Sequence, residues 1–250
     1  MCAATRVLLN AYDHLVLYLG LAWLGLLCLA WTPIALILRP LLPERRGQTL
    51  GRYVSMMGFR LYLASLSASR RCSFDLSALD VLRGEPALIL APNHPSLLDA
   101  VMIISRLPNV ACVLKAELMN NVFLGGGARL ARYIPNEPVR RMMRAATGDL
   151  GGGSHLLLFP EGTRTTAGVL RPLKGSIGVI AHHSQVPVQT ILIETDSPYL
   201  SKGWPLFRKP PMPIHVRVRL GRRFEPPQHV RQFMAELEHY FAQEMVERAG

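Results

Sequence analysis

At 250 residues the chain has room for one α/β or barrel domain, or for a smaller domain with an attachment segment, and it excludes large multidomain designs. Half of its residues are hydrophobic, 18% are charged and the mean hydropathy is +0.21, which excludes a disordered tail and points to membrane contact. Twenty-eight Lys and Arg against 17 Asp and Glu leave a net charge of +11, which favours an anionic partner such as lipid headgroups, phosphorylated substrates or nucleic acid.

Residues 15–38 carry no formal charge; as a helix these 24 residues reach roughly 36 Å, enough for a bilayer core of about 30 Å. They predict a membrane helix, with a buried core helix or a signal peptide as alternatives. The stretch is long for a signal and lacks a small-residue cleavage site. Pro33 leaves open either a full span or a hairpin dipping into one leaflet. Seven arginines between 39 and 71, against Glu44 alone, put this side in the cytoplasm by the positive-inside rule and predict an inner-membrane protein with a cytoplasmic catalytic domain. Within that stretch Leu50, Tyr53, Val54, Met57, Leu61 and Ala64 recur at helical spacing between arginines, predicting an interfacial helix over 50–68; a core-packing helix is the alternative. The chain divides at this level into an anchoring segment, 1–71, and an α/β domain, 72–250.

The remainder alternates strands and helices. Strands are expected at 87–91, 110–114, 133–135, 155–159, 186–193 and 214–220, and helices at 97–105, 122–131, 138–149, 174–183 and 228–248. A mostly parallel sheet flanked by helices follows. Cys2, Cys28, Cys72 and Cys112 form no CxxC pair, so neither a disulfide framework nor a zinc knuckle is expected, and a reducing compartment fits. His182-His183 has no acidic or cysteine companion at ligand spacing and reads as a helix end; no metal site is expected. The triplets Gly125-Gly126-Gly127 and Gly151-Gly152-Gly153 match no nucleotide fingerprint and read as turns.

Two segments can do chemistry. In Asn93-His94-Pro95-Ser96-Leu97-Leu98-Asp99 the histidine and aspartate are five apart, about 140° around a straight helix, so they meet only with His94 in a turn and Asp99 in the first helical turn. Ser96 is available as an N-cap, or nominally as a nucleophile. Phe159-Pro160-Glu161-Gly162-Thr163-Arg164-Thr165 combines a carboxylate, a flexible glycine and a guanidinium suited to phosphate or carboxylate. His94, Lys115 and Glu161 each follow an expected strand, at the edge where open α/β sheets place their sites.

These two blocks, at this separation behind an apolar N-terminal segment, resemble the lysophospholipid and glycerol-phosphate acyltransferase family over residues 87–193. Lys115-Ala116-Glu117-Leu118 with 123–134 resembles its second block, and Val186-Pro187-Val188 its fourth. The resemblance implies a membrane-bound O-acyltransferase. His94 would be the general base and Asp99 its orienting acid, while Asn93, Lys115, Glu161, Gly162, Thr163 and Arg164 would bind substrate. The donor would be acyl-CoA or acyl carrier protein, with no further cofactor, and membrane lipids the partners. Tyr133-Ile134-Pro135-Asn136-Glu137-Pro138 departs from glycerol-phosphate-type members in lacking an arginine before Arg140 and Arg141. That ending is similar to the branch linked to aryl-polyene or xanthomonadin-type pigments, which implies a non-glycerophosphate acceptor. A hydrolase is the nearest rival, but Lys174-Gly175-Ser176-Ile177-Gly178 misses the first glycine of a nucleophile elbow. A catalytically silent, membrane-anchored lipid-binding protein is the other. The basic stretch 202–231 shows no nucleic-acid motif, and nucleic acid is not an expected partner.

Overall fold

The computed structural model describes residues 3–165 and 171–246. Its centre is a seven-stranded sheet in the order β1-β7-β6-β2-β5-β3-β4. The strands are β1 (Cys72–Asp75), β2 (Ile89–Pro92), β3 (Val110–Leu114), β4 (Ile134–Pro135), β5 (His155–Leu157), β6 (Val188–Thr195) and β7 (Ile214–Phe224). All neighbours run parallel except β6 and β7. Continuous apolar runs such as 89–91 fit a sheet covered on both faces, because successive side chains point to opposite layers. Leu90 accordingly packs with Cys112, Leu157 and Ile191 on one side, while Ile89 and Ala91 pack with Ala111, Val113 and Leu156 on the other.

The Ile89 side is covered by α5 (Val139–Gly151), α6 (Ser176–Ser184) and α7 (Val230–Val246). The Leu90 side takes α2 (Glu44–Ala68), α3 (Asp99–Ile104) and α4 (Gly125–Leu130). Every expected strand and helix in the α/β part has a counterpart, with shifted ends; residues 247 and 248 of the last helix lie outside the described residues. The short β1 escaped the sequence reading because four residues, Cys-Ser-Phe-Asp, form no apolar run. Two 3-10 turns, Ser77–Gly84 and Ala116–Asn120, also lacked a sequence signal.

The apolar segment forms one helix, α1 (Ala3–Leu41), which starts twelve residues earlier than the uncharged run and continues through Pro33 and Pro40. It is long and apolar enough to cross a membrane. It nonetheless lies against the domain. Tyr12 Oη donates to the Ser69 carbonyl at 3.0 Å, Arg71 Nε meets Asp13 Oδ1 at 2.6 Å, and Thr32 Oγ1 donates to the Phe123 carbonyl at 2.7 Å. Gly125-Gly126-Gly127, expected as a turn, is the first turn of α4. A Cβ at Gly126 would sit 2.6 Å from the Thr32 carbonyl oxygen and one at Gly127 2.9 Å from the Trp31 ring, so bare backbone is what lets α1 approach. Gly151-Gly152-Gly153 does end a helix in a turn, with Gly153 at φ +82°.

Helix α2 has two apolar faces. Met56, Tyr62, Leu63 and Leu66 are buried against the domain, whereas Tyr53, Met57 and Leu61 of the expected interfacial face stay exposed. On the buried face sits Arg52, 1% exposed. It donates to the Ala131 carbonyl (3.1 Å), Asn109 (2.8 Å), Ser154 (2.7 Å) and Asp149 (3.0 Å), the last also held by Gln48. Four partners on other elements satisfy the charge that burial strips of water.

Candidate active site

Strand β2 ends beside β6, and Asn93 extends that pairing with its side chain. Its Nδ2 donates to the Ile193 carbonyl at 3.0 Å, and its Oδ1 accepts the Ile193 N–H at 2.7 Å. The amide thus acts as a strand residue and fixes where the next turn starts. His94 lies in that turn and Asp99 opens α3, as the spacing required. Asp99, fully buried, accepts two bonds on Oδ2: one from His94 Nδ1 and one from the Ser96 N–H, each 2.8 Å. Ser96 is not the N-cap of α3, which falls at Leu98. Its Oγ accepts the Leu98 N–H at 3.3 Å and donates to the Tyr199 carbonyl at 3.2 Å, so the hydroxyl is engaged in holding the turn.

Phe159 stacks on the imidazole with ring centroids 3.9 Å apart and planes 25° apart. With Nδ1 committed to Asp99 and one ring face covered, Nε2 is the remaining edge, and no hydrogen bond among the described residues uses it. Burial pushes the Asp99 carboxyl above its ordinary pKa, against the pull of His94, the Ser96 N–H and the Arg164 charge. A carboxylate made more basic by burial is a stronger acceptor for the Nδ1 proton.

The second block wraps the same turn. Glu161 is buried; its Oε1 accepts the Thr165 hydroxyl and its Oε2 the Arg171 N–H. Thr165 in turn donates its N–H to the His94 carbonyl at 2.7 Å and accepts the His94 N–H on Oγ1 at 3.3 Å. Glu161 therefore reaches the histidine backbone through one intervening threonine. Gly162 adopts φ +65°, and Thr163 is half-buried beside it. Arg164 Nη1 donates to the carbonyls of Leu200 and Ser201, both at 2.8 Å. Leu200 is held at φ +59°, and its carbonyl also accepts the Leu97 N–H. Arg164 thus clasps the turn that supports Ser96 and Leu97, while its Nε and Nη2 make no hydrogen bond among the described residues.

Lys115 stands exposed at the end of β3, two strands from β2, and no contact among the described residues joins it to this cluster. Asn136, where the second block lacks its arginine, donates its N–H to the Leu114 carbonyl and accepts the Ala116 N–H. Phe159 and Thr165 are the two ends of the second segment and had no assigned role in the sequence; the structure sets Phe159 on the imidazole and Thr165 on the His94 backbone, and adds the 199–201 turn, which had no sequence signal.

Residues 73–194 match the model of the family described as Acyltransferase. A 1-acyl-sn-glycerol-3-phosphate acyltransferase from Pseudomonas aeruginosa is 24% identical over 182 residues, covering 70% of this chain and 68% of that protein. An enzyme of the same name from Limnanthes douglasii is 29% identical over 136 residues, 52% of this chain and 48% of its own length, so the chain matches about half of that relative. Among solved structures, the 1-acyl-sn-glycerophosphate (LPA) acyltransferase PlsC from Thermotoga maritima has this fold, with a TM-score of 0.67, 18% identity and 98% of each chain covered.

Proposed function

We propose that this chain, for which these similarities support the PlsC-like acyltransferase family, transfers an acyl group from a thioester to the hydroxyl of a lysophospholipid-type acceptor at a membrane surface. The observation that carries the reading is the His94–Asp99 pair, with Nδ1 tied at 2.8 Å and Nε2 left to face a substrate. Nε2 takes the proton of the acceptor hydroxyl as its oxygen attacks the thioester carbonyl. The carbon–sulfur bond then breaks, and the departing thiolate recovers the proton from the imidazolium, so no enzyme nucleophile is needed. Asp99 stabilises the imidazolium between the two steps. The free edge of Arg164 is available to an anionic acceptor, and acyl-CoA or acyl carrier protein is the donor.

The membrane attachment we propose is in-plane. Contacts to the domain run from Tyr12 to Thr32 of α1, about 30 Å of helix at 1.5 Å per residue. A helix held along that length lays its other face, with Leu8, Leu15, Leu19, Leu26 and Ile37, beside the domain and open to lipid. The cytoplasmic face remains the expected side.

A second acceptor class is favoured by one observation: no guanidinium stands between Tyr133 and Pro138, and Asn136 accepts the Ala116 N–H on its Oδ1. The test is acyl transfer by detergent-solubilised protein from acyl-CoA and acyl carrier protein to lysophosphatidate, with His94→Ala as control. His94-dependent phosphatidate supports the glycerophosphate reading. No product from correctly folded protein overturns it and leaves an acceptor without the phosphate.

A further inference from the structure

We infer that the loop 202–209 is a second bilayer contact, a preformed apolar tip that enters an anionic lipid surface beside α1. The inference rests on the in-plane membrane reading above. At the tip, Leu206 and Phe207 are adjacent large apolar side chains, exposed at 45% and 66%. The loop is cross-braced by its own hydrogen bonds. The Trp204 N–H donates to the Ser201 carbonyl and the Arg208 N–H to the Pro205 carbonyl. Trp204 Nε1 donates to the Arg208 carbonyl at 3.0 Å, and the Arg208 guanidinium sits 4.9 Å from the indole centroid.

Two observations select lipid as the occupant. The first is continuity with α1: Phe207 lies against Tyr18, ring centroids 6.5 Å apart, and Lys209 at the loop's base meets Asp13 at 3.6 Å. The tip therefore extends the exposed Leu15 and Leu19 face. The second is charge. Lys202 and Arg208 flank the tip and are exposed, an arrangement that places cations at headgroup depth while the apolar pair goes deeper. The loop also follows the Leu200 turn that Arg164 clasps, so its insertion sets the height of the His94 turn above the lipid.

The experiment places an environment-sensitive nitrobenzoxadiazole label at Phe207→Cys in the full chain, with Cys2→Ser and Cys28→Ser, the buried Cys72 and Cys112 being left. Vesicles of phosphatidylethanolamine with phosphatidylglycerol are added, and flotation is measured in parallel. Emission rising severalfold with a blue shift, while a label at Arg231→Cys on α7 stays unchanged, is the expected result. Leu206→Ser with Phe207→Ser, exposed positions that do not threaten folding, should weaken vesicle binding by about tenfold, the scale of one partly buried large apolar side chain. A label that stays dark on protein that floats overturns the inference and leaves attachment to α1. A label dark on vesicles but brightened by acyl carrier protein overturns it in favour of a protein contact. Protein that does not float overturns the membrane reading itself.

Discussion

One oxygen of Asp99 receives both the imidazole of His94 and the backbone N–H of Ser96, each at 2.8 Å. The bond that orients the imidazole and the bond that shapes its turn are therefore the same carboxylate's work. Asp99→Asn keeps the shape but removes the charge that stabilises the imidazolium, so kcat should fall by about 10²- to 10⁴-fold with a near-native circular dichroism spectrum. His94→Ala should abolish transfer. Full turnover by either folded variant would remove the pair from the chemistry.

Arg164→Ala removes two charge-assisted bonds and leaves the carbonyls of Leu200 and Ser201 to the Leu97 and Trp204 N–H groups alone, a loss of about 1–3 kcal/mol. At about 2–4 °C per kcal/mol for a chain of this size, the Tm should fall by several degrees. Because the clasp supports the Ser96 turn, kcat should drop along with a rise in the acceptor KM. A change in KM alone, with Tm unmoved, would assign the side chain wholly to substrate.

Arg52→Met removes a buried cation and leaves Asp149, Asn109, Ser154 and the Ala131 carbonyl each short of a donor. Breaking such a pair from one side costs about 3–5 kcal/mol, which urea denaturation should register. Arg52→Met combined with Asp149→Leu should recover part of that loss. If the double variant were no better than the single, the charge pair would not be the source of the cost.

His155 is buried. Its Nδ1 accepts the Leu88 N–H at 3.2 Å and its Nε2 bonds the Leu82 carbonyl at 3.0 Å, an arrangement that requires the neutral ring with the proton on Nε2. Burial lowers its pKa from the ordinary 6.5. Above that value both folded and unfolded chains hold it neutral. As pH falls below it, the unfolded chain takes up the proton first, so stability is lost with a limiting slope of about 1.4 kcal/mol per pH unit. Denaturation at pH 7.0 and 5.5 should show this decline, and His155→Gln should flatten it. An equal decline in the variant would place the titrating group elsewhere.

Gly126→Val drives a side chain into the backbone of Thr32 and should part α1 from α4. Cys28, half-buried on α1, then gains solvent, and its labelling by a water-soluble maleimide should accelerate while Cys72 and Cys112 stay protected. Unchanged labelling would mean that α1 is held by its other contacts alone.

The α/β architecture was legible because buried parallel strands write themselves as apolar runs, and the His94–Asp99 geometry because a five-residue spacing admits a turn followed by a helix. The supporting contacts were not. Asn93 pairs with Ile193 and Arg164 with Leu200 and Ser201 through backbone atoms, which leave no mark on the partner's identity. Arg52 did leave one, since it shares a helical face with Met56 and Leu63, where an arginine is out of place unless it is paired. The glycine triplet misled: glycine marks a turn by freedom of φ but marks a close helix crossing by lack of bulk, and only the partner distinguishes them.

Asp13 is held by Arg71 and by Lys209, and β1 pairs with β7, so the first and last parts of the described chain are mutually dependent. During synthesis α1 emerges long before Lys209 and β7, with its domain-facing side uncovered. The order of manufacture therefore calls for a temporary cover for that side, and under the in-plane attachment proposed above a bilayer that receives the opposite face is the nearest one at hand.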